Sequence, residues 1–353
     1  MTARRTSDQA LCRKMPRVHL VHLPTPLEHA PRLSRSLGVE LHIKREDLAG
    51  LCVGGNKSRL LEFALGRLQA EGVDTLIAYA SDQSNKLRDI AAAGARFGMK
   101  SVLLVPGGGA GPLQGNRLLY DLIGAEVREL GPGLGAETVL AAEMAVRDEL
   151  AAQGRRPAVL DRRLDYGIDA TVAYVDAAEE LGRQLDDTGL KPDAVFIAAG
   201  AGMTVGGLAL GMKHLGRSTR VTGVCISTPA DDLLANVIWQ SERAAAALGL
   251  PSPLTAGDLT LIDDVTGPGY GVVTPELEGV MRRFAEGHGL ILDPVYNAKV
   301  ALALVGQIES GAIPQGSSVI YIHTGGLPAV FDYASDLTAQ GAPNSAQQPE
   351  PVT

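Results

Sequence analysis

Short apolar runs alternate along this chain with stretches of helical periodicity, and that order implies parallel sheets joined by right-handed crossovers. DTLIAYA (74–80) leads into SNKLRDIAAAGARFG and then SVLLVP (101–106). In the intervening helix Ser84 takes an N-cap position, and Leu87, Ile90 and Ala91 share one stripe. DAVFIAAG (193–200) repeats the layout, followed by an alanine- and leucine-rich helix and RVTGVCIS (220–227). A third set comprises a strand-like GLILDPV (289–295), a helix near 297–310 and SSVIYIHTGG (317–326). Stretches rich in Glu, Arg and Ala, at 136–153 and 172–186, read as helices of the outer layers. The fold expected is α/β: two open, twisted parallel-sheet domains with flanking helices, sharing a ligand cleft beyond the strand C-termini. Residues 17–60 and 173–335 are expected to form the larger domain and 61–172 the smaller. Residues 1–16 and 336–353, polar or rich in Pro and Gln, are expected to be disordered.

Composition narrows the class of protein. A chain of 353 residues that is 45% hydrophobic and 20% charged can bury a sizeable core. Forty acidic against 32 basic residues give a net charge of -8, which argues against nucleic acid as a partner. Only Cys12, Cys52 and Cys225 occur, without a CxxC pair, as a reducing compartment would favour. The N-terminal residues lack the apolar stretch of a signal peptide, and no run of 18 apolar residues suggests a membrane span. A soluble, cytoplasmic protein is expected. Seven histidines without metal-ligand spacing point away from a metal site.

Three Gly-rich loops follow apolar runs: VGGN before Lys57, AAGAGMT at 198–204, and IHTGG at 322–326. Glycine lets backbone approach a ligand, and N–H groups at a helix start attract an anion. The middle loop, Gly200-Ala201-Gly202-Met203-Thr204, is the best phosphate cradle. Its GxGxxxG spacing is a poor dinucleotide fingerprint, because the next acidic residues are Asp231 and Asp232, beyond the following strand. A nicotinamide-dependent oxidoreductase is therefore disfavoured. Lys57 sits at the start of a helical pattern formed by Leu61, Ala64, Leu65 and Leu68. There the helix dipole and burial both favour the neutral amine, the form that attacks a carbonyl. From these facts alone, a solvated lysine on a surface helix remains the simpler reading.

GGNKSRLLEF, preceded by HIKREDL (42–48), resembles the cofactor-lysine segment of the D-cysteine desulfhydrase and 1-aminocyclopropane-1-carboxylate deaminase family. The likeness runs in order from about 17 to 334 through LPTPLE (23–28), QSN (83–85), GPGY (267–270), LDPVY (292–296) and HTGGLPAVF (323–331). It implies the tryptophan-synthase-β type of fold (fold type II), a homodimer, and pyridoxal 5'-phosphate acting on a small amino acid. By this resemblance Lys57 holds the cofactor and moves the α-proton, and Asn56 shapes its loop. Ser84 and Asn85 lie at the substrate carboxylate and cofactor, while Gly200, Ala201, Gly202, Met203 and Thr204 form the phosphate turn. Tyr270 and Tyr296 match the two active-site tyrosines, candidates for acid–base work on the leaving group or substrate nitrogen.

Departures from the family pattern bear on substrate. Ring-opening deaminases carry Glu after the DPVY tyrosine, paired with the pyridine nitrogen, and Leu in place of the HTGG threonine. This chain has Asn297 and Thr324 at those cofactor-binding positions. A neutral amide makes a weaker electron sink, which suits β-elimination better than ring opening. The family's basic residue three places after the cofactor lysine is Leu60, SNH reads SNK with Lys86, and a Gly-rich stretch is replaced by DRRLDYGIDATVAY (161–174). Lys86 is expected either to restore the charge absent at Leu60 or to bind an anionic substrate group. The expected function is α,β-elimination on a small amino acid, giving an α-keto acid, ammonia and the leaving group. Cyclopropane-amino-acid deamination, cysteate sulfo-lyase chemistry, β-replacement or racemisation in secondary metabolism, and a catalytically silent binding protein are the alternatives.

Overall fold

The computed structural model describes residues 11–107 and 113–339. Six strands form one sheet, in the order β1 (Leu27–His29), β2 (Glu40–Arg45), β10 (Ser318–His323), β7 (Ala194–Ala199), β8 (Arg220–Cys225), β9 (Thr260–Ile262). A second sheet has the order β5 (Glu126–Leu130), β4 (Lys100–Pro106), β3 (Thr75–Tyr79), β6 (Pro157–Val159). Every pairing is parallel except β1 with β2. The central strands are continuous apolar runs because helices cover both their faces; all six residues of AVFIAA in β7 are buried. The register sets Tyr321 of β10 between Ile43 of β2 and Phe196 of β7.

Helices that follow the strands place the site. In chain order they begin with α1 (Pro31–Leu37), α2 (Asn56–Ala70), α3 (Asn85–Phe97), α4 (Gly115–Leu122) and α5 (Ala136–Ala152). There follow α6 (Asp165–Thr188), α7 (Met203–His214), α8 (Ala230–Leu248), α9 (Pro275–His288) and α10 (Asn297–Glu309). Strand β2 feeds α2, β3 feeds α3 and β7 feeds α7, so three helix N-termini and the loop after β10 converge beyond one end of the sheets. The turn into α2 is the most strained stretch. Cys52 and Val53 have φ of 46° and 66°, followed by Gly54 and Gly55 at 74° and 120°. A β-branched residue in this region is an outlier, and a Cβ at Gly54 would collide with the carbonyl of Asp47.

Several expectations need correction. GLILDPV does not join a sheet; the carboxylate of Asp293 accepts the N–H groups of Val295, Tyr296 and Asn297, so the segment ends as a helix start. Helix α6 is not an outer layer. Sixteen of its residues are buried, and its length is packed against α2 and α7. The disorder expected for 1–16 does not extend to residues 11–16, since Cys12 lies in the core and Leu11 N donates to Glu179 Oε1 at 2.8 Å. At the other end Ala334–Ala339 is helical, against the disorder expected from 336. The disorder expected for 1–10 and 340–353 falls outside the described residues. Among the described residues, no helix is long and apolar enough to cross a membrane.

Candidate active site

Lys57 stands in the first turn of α2, whose N-cap, Gly55, offers no side-chain cap. Asn56 fixes the arrangement around it. Its N–H donates to the Thr324 carbonyl at 3.0 Å, its Oδ1 accepts from Lys57 Nζ at 3.2 Å, and its Nδ2 donates to Thr204 Oγ1 at 3.3 Å. One residue thereby ties the lysine to two of the three glycine-rich loops. Burial pushes the Lys57 amine down to about 8, with Asp89 opposing the shift and Lys86 adding to it. Asp89 is itself held from below by Ser58 Oγ at 2.8 Å and by Arg88. Sequence reasoning missed this support, because Ser58 passed only as part of the lysine segment and Asp89 only as part of helix α3.

The amine faces a cavity of about 490 Å³, a size suited to a small-molecule site. One wall is the turn Gly200–Thr204. Gly202 is the N-cap of α7 with φ 89°, and a Cβ there would press on Val237 Cγ2 at 3.0 Å and Asn236 Nδ2 at 3.3 Å. Asn236, another residue the sequence did not single out, donates to the Ala201 carbonyl at 2.6 Å and pins the turn. The result is a bare backbone surface at a helix N-terminus, aimed into the cavity that holds the lysine. A phosphate and a reactive carbonyl carried by one molecule fit these two features. Ser84 caps α3 by accepting from Lys86 N and Leu87 N at 3.1 and 3.3 Å. Asn85 Oδ1 accepts from Arg88 Nη1 at 3.1 Å and Asn116 Nδ2 at 2.9 Å. Both Ser84 and Asn85 line the cavity, as does Lys86.

Tyr296 lines the cavity, whereas Tyr270, 45% exposed, is not among its lining residues. Their hydroxyls are 2.8 Å apart and the rings meet edge-on at 6.1 Å. Burial, and then Tyr270, push the Tyr296 hydroxyl well above its ordinary pKa. Thr324 also faces the cavity.

Asn297 differs from the expectation that it binds the cofactor, because its side chain is wholly buried and spent on protein. Its Oδ1 accepts from Thr324 N at 2.9 Å and Thr324 Oγ1 at 3.2 Å. Its Nδ2 donates to Asp293 Oδ1 at 2.6 Å and Gly325 O at 2.5 Å. Asn297 therefore clamps the loop after β10 to the start of α10 and orients Thr324, which takes the cavity-facing position. Asn297→Ala is expected to cost about 1–3 kcal/mol of stability by stranding buried partners, a loss that urea unfolding would measure. Among the described residues, no group of three His, Cys, Asp or Glu could hold a metal.

Known proteins share the sequence and the fold of this chain. Residues 18–325 match the family described as pyridoxal-phosphate dependent enzyme. The chain is 37% identical over 329 residues to D-cysteine desulfhydrase of Klebsiella pneumoniae (strain 342), covering 92% of this chain and 98% of that one. A solved ACC deaminase homologue superposes with a TM-score of 0.85 at 31% identity, over 94% of this chain and 98% of its own. Threonine deaminase isoform 2 of Solanum lycopersicum shares the fold, with a TM-score of 0.62 at 20% identity over 91% and 84% of the two chains. The cavity, Lys57 and the Gly200–Thr204 turn therefore sit in a chain that belongs to the pyridoxal-phosphate dependent enzyme family.

Proposed function

We propose that this chain is a lyase that removes the α-proton of a small amino acid and expels its β-substituent, with D-cysteine as the substrate. The balanced reaction is cysteine plus water giving pyruvate, ammonia and hydrogen sulfide. The observation that carries the reading is the amine of Lys57, lowered to about 8 and facing the Gly200–Thr204 cradle across one cavity. When bound, pyridoxal phosphate withdraws electrons from the α-carbon, which lets its proton leave. Lys57 accepts that proton, since its amine is neutral in a large fraction of molecules near pH 8. Ser84 and Asn85, at the N-terminus of α3, hold the substrate carboxylate. Tyr296 lines the cavity and burial keeps its hydroxyl protonated, so it is the group placed to give a hydrogen bond or a proton to the departing sulfur. Tyr270 holds it by the hydroxyl contact at 2.8 Å. The ring-opening alternative is disfavoured because the position family deaminases give to Glu is an amide here, turned away from the cavity.

Incubation of the purified protein with D- and L-cysteine, cysteate, β-chloroalanine and the cyclopropane amino acid tests the reading. Pyruvate and sulfide in equal amounts from D-cysteine are expected; racemisation alone, or keto acid from the cyclopropane substrate only, would overturn it. Tyr296→Phe is expected to slow D-cysteine turnover about 10²-fold or more. Its effect on β-chloroalanine should be far smaller, because chloride leaves without a proton. The chain is further proposed to act as a homodimer in the cytoplasm, which light scattering would check as twice the chain mass.

A further inference from the structure

We infer that Lys86 and Arg162 together supply the positive charge that offsets the phosphate of the cofactor, a task that Leu60 leaves unfilled. The inference rests on the cofactor assignment made above. A phosphate carries nearly two negative charges at neutral pH, while a helix N-terminus contributes only about half a positive one. An anion taken from water into a cavity without further cations is costly. Leu60, one turn beyond Lys57 on α2, lines the cavity and is 0% exposed, yet it carries no charge.

Helix α8 shows where the replacement lies. Asn236 holds the cradle by the Ala201 carbonyl, and four residues on, Gln240 Nε2 donates to the Arg162 carbonyl at 2.9 Å. With a rise of about 1.5 Å per residue, the backbones of Asn236 and Gln240 are roughly 6 Å apart along α8. Arg243 grips the same segment through Leu164 O at 2.9 Å. The backbone of Arg162 and the phosphate turn are thus tied to neighbouring turns of one helix, and both line the cavity. Lys86 comes to it from α3, its Nζ 5.4 Å from the ring centre of Tyr166, which also lines the cavity.

The other charges nearby do not cancel this pair. Arg163 is already clamped by Asp161 at 2.8 and 3.0 Å and donates to the Ala136 carbonyl at 2.9 Å. Glu143 spends Oε1 on Tyr79 N, and its buried Oε2 has no partner. Burial pushes that carboxyl up to about 7, so it is a weak counter-charge at neutral pH. Burial lowers the Lys86 amine while Glu143 and Asp161 oppose that shift, and both Lys86 and Arg162 line the cavity that an anion would enter.

Binding of pyridoxal phosphate and of pyridoxal, which lacks the phosphate, to the apoprotein separates this role from others. Wild type is expected to prefer the phosphorylated form strongly. Lys86→Met and Arg162→Met should each lower affinity for pyridoxal phosphate about 10- to 100-fold and leave that for pyridoxal unchanged. Lys86→Arg should retain most of the preference, and Leu60→Lys added to Lys86→Met should restore part of it. Circular dichroism of each apoprotein confirms that the variants fold. An equal loss for both ligands would make the residues merely structural and overturn the inference. So would unchanged cofactor affinity with a raised KM for anionic amino acids alone. A wild-type protein that takes up neither ligand would overturn the cofactor assignment itself, an outcome distinct from both.

Discussion

Lys57→Ala is expected to abolish covalent attachment of pyridoxal phosphate and to lower turnover by about 10⁴-fold or more. One amine serves both as the attachment point and as the acceptor of the α-proton, and general-base catalysis alone supplies about 10²–10⁴-fold. Borohydride treatment followed by peptide mass spectrometry reads the result directly: the peptide holding residue 57 gains the cofactor mass in wild type and not in the variant. Retained turnover, or attachment at another lysine, would refute the assignment. A pH dependence accompanies it. The neutral amine is the attacking species, so the attachment rate to apoprotein should rise with pH and level off just above 8, where a solvated lysine would keep rising past 10. The stability of the apoprotein has a matching sign. The folded amine titrates near 8 and the unfolded one near 10.5, so between these values the unfolded chain binds more protons and stability increases with pH. Lys57→Ala removes that slope and is not expected to destabilise the fold at neutral pH.

Much of this arrangement could be read from the residues before any coordinates. Strands β3, β7 and β10 were legible because both faces are buried and the runs are unbroken. The loops that follow β7 and β10 were legible because only glycine tolerates their backbone, as at Gly202 and Gly325 with φ of 89° and 93°. Strand β5, EVREL, was not, since a half-exposed edge strand carries charges that read as loop or helix. Helix α6 misled in the opposite direction. Its acidic residues suggest a solvated face, but Asp169 pairs with Arg67, Asp176 with Arg17, and Glu180 with Lys44, all inward or at packed seams. Charge in a sequence reports polarity and not exposure, and the partners come from segments too far away to be seen. The same holds for Asn297. Motif position pointed it at the cofactor, whereas its hydrogen-bond capacity is consumed by Asp293, Gly325 and Thr324.

Removing the charge of Arg59 is expected to cost about 3–5 kcal/mol, because it strands buried carboxylates. Arg59 is 0% exposed and lies two residues after Lys57. Its guanidinium meets Glu46 at 2.8 and 2.9 Å and Glu180 at 3.2 Å. Lys44 Nζ adds 2.5 Å to Glu180 and 2.7 Å to the Thr25 carbonyl, so Arg59 and Lys44 face Glu46 and Glu180 inside the core, with Asp176, itself paired with Arg17, 3.7 Å from Arg59 at the edge. Burial alone would raise the Glu180 carboxyl, yet Arg59 and Lys44 outweigh it and hold the group at about 2. The stability this contributes is present above the ordinary carboxylate pKa of 4.5 and is lost as pH falls toward 2. In Arg59→Met that loss should begin at higher pH, since only Lys44 remains to hold two carboxylates. Adding Glu46→Gln to Arg59→Met should recover part of the stability, because the remaining pair, Lys44 and Glu180, is again neutral. Additive losses in urea unfolding would instead mean that the four charges do not act as one unit. The network joins β2, α2 and α6, and through α2 it sets where Lys57 stands. Turnover per folded molecule should therefore fall in Arg59→Met and recover in step with stability in the double variant.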